Sequence, residues 1–292
     1  MVKITPYFGL IMETSKIAVI TGGTDGIGKE TAISLSQKGY HIVLIARNES
    51  KANSVCDTIK QTGGSCEFIL CDLSSLSSVY KASNLLKDRY PSIHLLINNA
   101  GVFLRRRSLS QDGFEMNFAV NHLSHFLLTT EILPNLNNTE DSRIINVSSQ
   151  LHWDAKPNFQ DMQMEKDYQM MNAYNCSKLY NIYFTRELAE RLKDSKTTVN
   201  ALHPGVVNTA LTRDFNPILR FFIGIFNSIF FDTPAQGAEP SVHLSVSEEL
   251  KGISGKYFNK KVEEPSSPLS QRIEHQKFIW RYSEELLKKM VK

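Results

Sequence analysis

Along the chain, short runs of β-branched and aliphatic residues alternate with stretches whose apolar positions recur every three or four residues. That alternation predicts stacked βαβ units around a parallel sheet. The first strand falls at Lys16 to Ile20, followed by a glycine-rich turn and a helix over Lys29 to Gln37. His41 to Ala46 (HIVLIA) is an uninterrupted apolar run, as a strand covered on both faces requires. A helix over Lys51 to Lys60 stops at Gly63-Gly64, a strand covers Glu67 to Cys71, a helix Leu76 to Lys87, and a strand Ile93 to Asn98. Beyond these the pattern predicts a long helical segment from Gly113 to Ile132, a strand over Arg143 to Ser148, a helix over Ala173 to Lys193 and a strand over Thr198 to Leu202.

Two later stretches break the alternation. Phe215 to Phe231 is strongly apolar and aromatic, but Pro217, Arg220 and Asn227 interrupt it and it falls short of the roughly 20 apolar residues of a membrane span. It reads as a helical lid inserted near residues 210–240, with Phe221, Phe222, Phe226, Phe230 and Phe231 covering an apolar substrate. Peripheral contact of the same aromatics with a membrane surface stays open. Val262 to Ser270 is a Pro/Ser loop leading into a final amphipathic helix near residues 270–290. The expectation is one α/β domain over residues 1–292, an open doubly wound parallel sheet of about seven strands with helices on both faces.

Length and composition narrow the function. A chain of 292 residues is nearly twice the usual domain length of about 150, yet one large α/β sheet can absorb it. Lys and Arg number 33 against 30 Asp and Glu, which lacks the clustered basic excess of a nucleic-acid binder. Cys56, Cys66, Cys71 and Cys176 have neither the paired short spacings of a zinc site nor those of a disulfide framework, so a reducing, cytoplasmic compartment is expected. Pro6, Gly9 and Glu13 break any signal-peptide core within Met1 to Ser15, and no secretion signal is read there. His122 and His125, three apart on a helix, have no evident third ligand, so no metal is expected. Arg105-Arg106-Arg107 reads as a solvated charge run, with contact to an anionic substrate or lipid headgroup as the sharper alternative.

The candidate chemistry begins directly after the first strand, at Thr21-Gly22-Gly23-Thr24-Asp25-Gly26-Ile27-Gly28. Glycines at 22, 26 and 28 let the backbone turn sharply and approach a ligand, while the N–H groups opening the next helix attract phosphate. Turns also produce glycine loops, but the strand-turn-helix context favours a dinucleotide pyrophosphate. At the end of the second strand the chain has Ala46-Arg47-Asn48 in place of an acid that would hold the ribose hydroxyls of NAD. A guanidinium there suits a 2′-phosphate, so NADP(H) is favoured, with Lys29 as a second cation on the same side. Tyr174-Asn175-Cys176-Ser177-Lys178 lies early in a periodic helix, where residues four apart share a face. An ammonium beside a phenol lowers its pKa from about 10 toward neutrality and makes it a usable acid and base. Such a pair also occurs by chance on surface helices. Asn146-Val147-Ser148-Ser149 closes a strand at the carboxyl edge of the sheet, where a hydroxyl can reach a substrate carbonyl.

Together these motifs resemble the short-chain dehydrogenase/reductase family, whose fold is of the Rossmann type. Thr21 to Gly28, Cys71-Asp72-Leu73, Asn98-Asn99-Ala100-Gly101, Asn121, Ser149, Tyr174 with Lys178, and Pro204-Gly205 with Thr209 run in family order across residues 16–210. The resemblance implies that Asp72, beside Leu73, contacts adenine and that Asn98 to Gly101, with Ala100 among them, back the nicotinamide ribose. It implies that Asn121 holds a structural water, Ser149 polarises the carbonyl, Tyr174 donates the proton, and Lys178 binds ribose hydroxyls while lowering the tyrosine pKa. Pro204, Gly205, Val207 and Thr209 would flank the nicotinamide carboxamide. Asn121 to Thr129, Phe184 to Ala189, His203 to Val207 and the long gap from Ser149 to Tyr174 are similar to retinol dehydrogenase-like members. Ser124 departs from the glycine usual in its helix, which bears on the geometry around Asn121.

The function this implies is reversible, NADP(H)-dependent interconversion of a carbonyl and an alcohol on a lipophilic molecule such as a retinoid, a steroid or another apolar aldehyde or ketone, with reduction as the expected direction. Two alternatives stay open on the same fold: a catalytically silent NADP-binding regulatory protein and a membrane-surface interaction protein. Assembly into a homodimer through the long helices is typical of the family.

Overall fold

Strand β1 (Lys16–Thr21) sends Ile17 and Val19 to one side of the sheet and Ala18 and Ile20 to the other, so both sides must be covered. The structure is a computed structural model describing residues 16–205 and 232–290. Beside β1 lie β2 (Tyr40–Ala46), β3 (Ser65–Leu70), β4 (Leu95–Asn98), β5 (Arg143–Val147), β6 (Thr198–His203), β7 (Tyr257–Asn259) and β8 (Val262–Glu263). Their order across the sheet is β3-β2-β1-β4-β5-β6-β7-β8. The first seven run parallel, and β8 returns antiparallel along β7, pairing Phe258 with Glu263. The expected seven-strand sheet is therefore extended by one short edge strand, built from residues read as loop. A two-residue strand carries too little periodicity to announce itself.

Helices α1 (Gly26–Ser36) and α2 (Glu49–Gln61) cover the face that holds Ala18, Ile20, Ile42 and Leu44. Helices α3 (Leu76–Arg89), α4 (Ser124–Asn137) and α5 (Met170–Arg191) cover the face of Val19, Val43 and Leu96. Strand order reverses between β1 and β4, opening a crevice at their carboxyl ends where doubly wound sheets bind ligands.

Helix α6 (Pro234–Val246) falls partly within the stretch expected as a lid. It is instead part of the covering layer, with Gly237, Ala238 and Ser241 buried and the helix packed on α1. Thr233 and Gln236 close a reciprocal capping box at its start, so the helix is locally encoded and its small residues allow the close approach. The remainder of the expected lid, including Phe215 to Phe231, lies outside the described residues. Helix α7 (Ile273–Met290), the expected C-terminal helix, packs against α5.

Two further expectations change. The helical segment predicted from Gly113 starts at Met116, where the Glu115 carboxylate accepts the N–H groups of Asn117 and Phe118. It widens into a π turn over Ala119–Leu123 before α4, and Ser124 Oγ donates to the Val120 carbonyl at 2.8 Å. The cysteines are not all unpaired: Cys56 on α2 and Cys66 on β3 form a disulfide, while Cys71 and Cys176 are buried free thiols. Ten residues of sequence separate the pair, and the turn at Gly63-Gly64 folds β3 back along α2 to bring them together. Among the described residues no helix is long and apolar enough to cross a membrane.

Candidate active site

The turn leaving β1 lies backbone to backbone against the loop leaving β4. Gly22 has φ +67°, and a Cβ on it would sit 2.9 Å from Ala100 Cα; the corresponding space at Gly28 is taken by the Gly22 carbonyl and the Asn99 amide. Only glycine permits this approach. Asn99 Nδ2 donates to the Thr21 carbonyl at 2.9 Å and the Gly22 carbonyl at 3.3 Å, locking the two loops together. The result is a cleft of about 700 Å³ whose floor is Gly22, Thr24, Asp25, Gly26, Ile27 and Gly28 at the start of α1. A helix N-terminus reached through side-chain-free backbone fits a pyrophosphate, so the residues present suit a dinucleotide.

At one end of the cleft stand Arg47 and Asn48, just past β2, with Asp72 and Leu73 past β3. Asn48 also caps α2, accepting the Lys51 N–H at 2.9 Å. Asp72 is held by the Ser74 hydroxyl at 2.8 Å and the Gln111 amide at 3.0 Å. Lys29 is not among the cleft-lining residues. Lys51 is, with its ammonium 3.0 Å from the Asp25 carboxylate. Lys51 lies in the first turn of α2, only four residues after Arg47 in the sequence, and that nearness was a readable signal for a second cation.

At the other end α5 presents Tyr174 and Lys178 to the same cleft. Lys178 Nζ lies 5.6 Å from the centre of the Tyr174 ring and donates to the Val147 carbonyl at 3.0 Å. Asn121 clasps the loop after β4 from both sides: Oδ1 accepts the Val102 N–H at 2.7 Å and Nδ2 donates to the Val102 carbonyl at 3.0 Å. A Cβ on Gly101 would fall 3.4 Å from both Asn121 Oδ1 and Lys178 Nζ, which places this stretch of backbone directly beside the two side chains. Ser149 is buried and, unlike Ser148, is not among the cleft-lining residues; its hydroxyl accepts the Leu151 N–H at 3.2 Å and hydrogen-bonds the Tyr174 phenol.

Asn98 points the other way. Its Nδ2 donates to Thr129 Oγ1 at 3.0 Å and Asn146 Oδ1 at 2.8 Å, pinning β4 to α4 and β5, and Asn99 faces the cleft in its place. Asn98 is the last residue of β4, and Asn99 begins the turn after it, where its side chain swings to the Thr21 and Gly22 carbonyls. Ala100 and Gly101 line the cleft, as does Pro204. Gly205 turns at φ +97° with the Asp232 carboxylate against it, whereas Val207 and Thr209 lie outside the described residues.

The electrostatics differ from the sequence expectation. Burial pushes the Tyr174 phenol up to about 12, drawn back in part by the Ser149 hydrogen bond, and burial lowers the Lys178 ammonium to about 8. Desolvation of the buried phenolate is the largest cause of the shift, and Lys178, which gives one of its three N–H groups to the Val147 carbonyl, does not bring the phenol down toward neutrality in the chain alone. Between the two ends the wall is apolar, formed by Val102, Phe103, Leu104, Met116 and Val120, with the Phe103 and Tyr174 rings 4.9 Å apart. Among the described residues no cluster of three or more His, Cys, Asp or Glu is placed to hold a metal.

The short-chain dehydrogenase family model matches residues 16–218. Mouse retinol dehydrogenase 14 is 38% identical over 286 residues, covering 93% of this chain and 86% of its own. Human retinol dehydrogenase 11 is 42% identical over 246 residues, covering 84% of this chain and 77% of its own. Among solved structures, an uncharacterised protein from Mycobacterium paratuberculosis superposes with TM-score 0.77 at 28% identity, covering 94% of this chain and 93% of its own. A protein assigned as an NAD(P)-dependent gluconate 5-dehydrogenase from Beutenbergia cavernae, solved with NADP at low occupancy, gives 0.69 at 26% identity, covering 85% and 96%. The cleft and its motifs thus sit in a chain that belongs to the short-chain dehydrogenase family, in its retinol dehydrogenase-like branch, and is an oxidoreductase of alcohols and carbonyls.

Proposed function

We propose that the protein uses NADP(H) to interconvert a carbonyl and an alcohol on a lipophilic substrate, with Tyr174 as proton donor and acceptor. The observation that carries this reading is the single cleft that has the glycine turn and Arg47 at one end and Tyr174 with Lys178 at the other. A nicotinamide cofactor held in this cleft would supply or accept the hydride. Tyr174, protonated near neutrality because burial disfavours its phenolate, gives its proton to the carbonyl oxygen. Ser149, already bonded to that phenol, orients it and polarises the same oxygen. Lys178 is the nearby cation that stabilises the phenolate left behind, and Asn121 holds the loop that carries Gly101 beside Lys178. Positioned acid catalysis of this kind contributes about 10² to 10⁴-fold.

Cofactor choice follows from charge. Arg47 and Lys51 form a basic lip where a 2′-phosphate would sit, and no acid stands at the end of β2. Substrate class follows from the apolar wall from Val102 to Leu104 with Met116 and Val120, which suits an apolar aldehyde or ketone. The retinol dehydrogenase relatives add support. The test is consumption of NADPH, with NADH in parallel, against retinal, steroid and fatty aldehydes and ketones. Carbonyl-dependent NADPH oxidation is expected; oxidation driven better by NADH, or by polar sugars alone, overturns the reading.

A further inference from the structure

We propose that His125 is a positioning residue, joining the two groups that hold the loop after β4 into one directed hydrogen-bond circuit. This rests on reading that loop as the nicotinamide end of the cleft. His125 is buried at the start of α4, one turn beyond Asn121. Its Nδ1 lies 3.1 Å from the Asn121 carbonyl and its Nε2 2.9 Å from Thr21 Oγ1. Thr21 Oγ1 in turn receives the Asn99 N–H at 2.9 Å and the Ala100 N–H at 3.0 Å.

The direction of every bond follows from these contacts. A carbonyl only accepts, so the ring proton sits on Nδ1 and Nε2 is left as an acceptor. The Thr21 hydroxyl, already accepting two N–H groups, must then donate to Nε2; its alternative acceptor, the Ile97 carbonyl, is farther at 3.4 Å. All members are satisfied in this one arrangement. Burial and the Lys178 charge push the imidazole down to about 3, which keeps it neutral and in this role throughout the physiological range.

The circuit has a geometric consequence. Thr21 grips Asn99 and Ala100, Asn121 grips Val102 through both of its backbone groups, and His125 binds the two grips together. Asn121 lies in the widened turn over Ala119–Leu123, where the backbone has more than one way to close, and the imidazole is a side-chain anchor for its carbonyl. His122 provides the contrast. It is equally buried and neutral, yet it bonds Ser283 on α7 among Phe118, Phe126 and Phe184, away from the cleft.

The test compares His125→Leu, which can neither donate nor accept, with His125→Gln, which can do both, and with His122→Leu as a control for losing a buried imidazole. For each, NADPH affinity is measured by fluorescence titration, kcat and KM with the best carbonyl of the panel, and thermal stability by calorimetry. His125→Leu is expected to lower kcat and NADPH affinity about tenfold each, one mis-set buried hydrogen bond, with KM for the carbonyl little changed and His125→Gln restoring most of both. His122→Leu is expected to lose stability alone. Equal kinetic effects of the two leucine variants, or no rescue by glutamine, overturns the proposal. Nitrogen-15 NMR of the wild-type imidazole, which needs no variant to fold, is expected to show a neutral ring protonated at Nδ1; an Nε2-protonated ring overturns it as well. If wild type turns over no carbonyl, the functional reading fails, while the NMR and NADPH titrations still decide the role of His125.

Discussion

Lys178 stands one helical turn beyond Tyr174, its ammonium 5.6 Å from the centre of the phenol ring and committed to the Val147 carbonyl. The pair therefore shares a cleft without sharing a hydrogen bond, and the phenol stays protonated near neutrality under the weight of its own burial. A tyrosine in that state is prepared to give a proton rather than take one, which suits carbonyl reduction.

Replacing Tyr174 with Phe removes the hydroxyl and keeps the ring packed on Phe103. Reductive turnover is expected to fall about 10² to 10⁴-fold while NADPH affinity stays within about threefold of wild type. Steady-state kinetics beside fluorescence titration check both; a variant with undiminished kcat removes Tyr174 from the chemistry.

The lowered pKa of Lys178 sets a pH dependence. Below about 8 the ammonium is charged and can stabilise the phenolate formed when Tyr174 gives up its proton; above 8 it is neutral and that stabilisation is lost. Log kcat for reduction is expected to be level from pH 6 to 7.5 and to fall with a slope approaching about one per pH unit above 8. A rate that is flat to pH 10 in single-turnover measurements contradicts this assignment.

At the other end of the cleft the two lysines separate two ideas about cofactor choice. Lys51→Ala and Arg47→Asp are each expected to weaken NADPH binding about 10- to 100-fold while leaving NADH within about threefold, since only NADPH carries the charge they would meet. Lys29→Ala, outside the lining of the cleft, is expected to change neither. Titrations at low ionic strength measure this, and equal losses for the two cofactors would remove the 2′-phosphate from the explanation.

Pairing of Cys56 with Cys66 predicts a thiol count. Of the four cysteines, two react with a thiol reagent in denaturant before reduction and four after it. By closing a ten-residue separation, the bridge is expected to add about 2 to 3 kcal/mol on the chain-entropy account, so Cys56→Ser lowers the urea midpoint without reductant and matches wild type with it. Four reactive thiols from the outset would show the pair reduced.

What the chain declares by itself is what short-range physics controls. Apolar periodicity announced the alternation of strands and helices, because the central strands β1, β2, β4, β5 and β6 are runs rich in apolar residues and helices such as α2 and α7 carry one apolar face. The glycines between Thr21 and Gly28 declared a turn that only bare backbone can make, and the spacing of Tyr174 and Lys178 declared a shared face of one helix. What tertiary structure decided are relations between groups distant in sequence. Thr21 meets His125 across 104 residues, and Asn98 turns to Asn146 across 48 and leaves the cleft to Asn99. Cys56 finds Cys66 because β3 folds back along α2, and burial overrides the Lys178 charge at Tyr174. Each depends on which surfaces pack together and how much water they exclude, quantities that appear only when the sheet is closed between its two layers of helices.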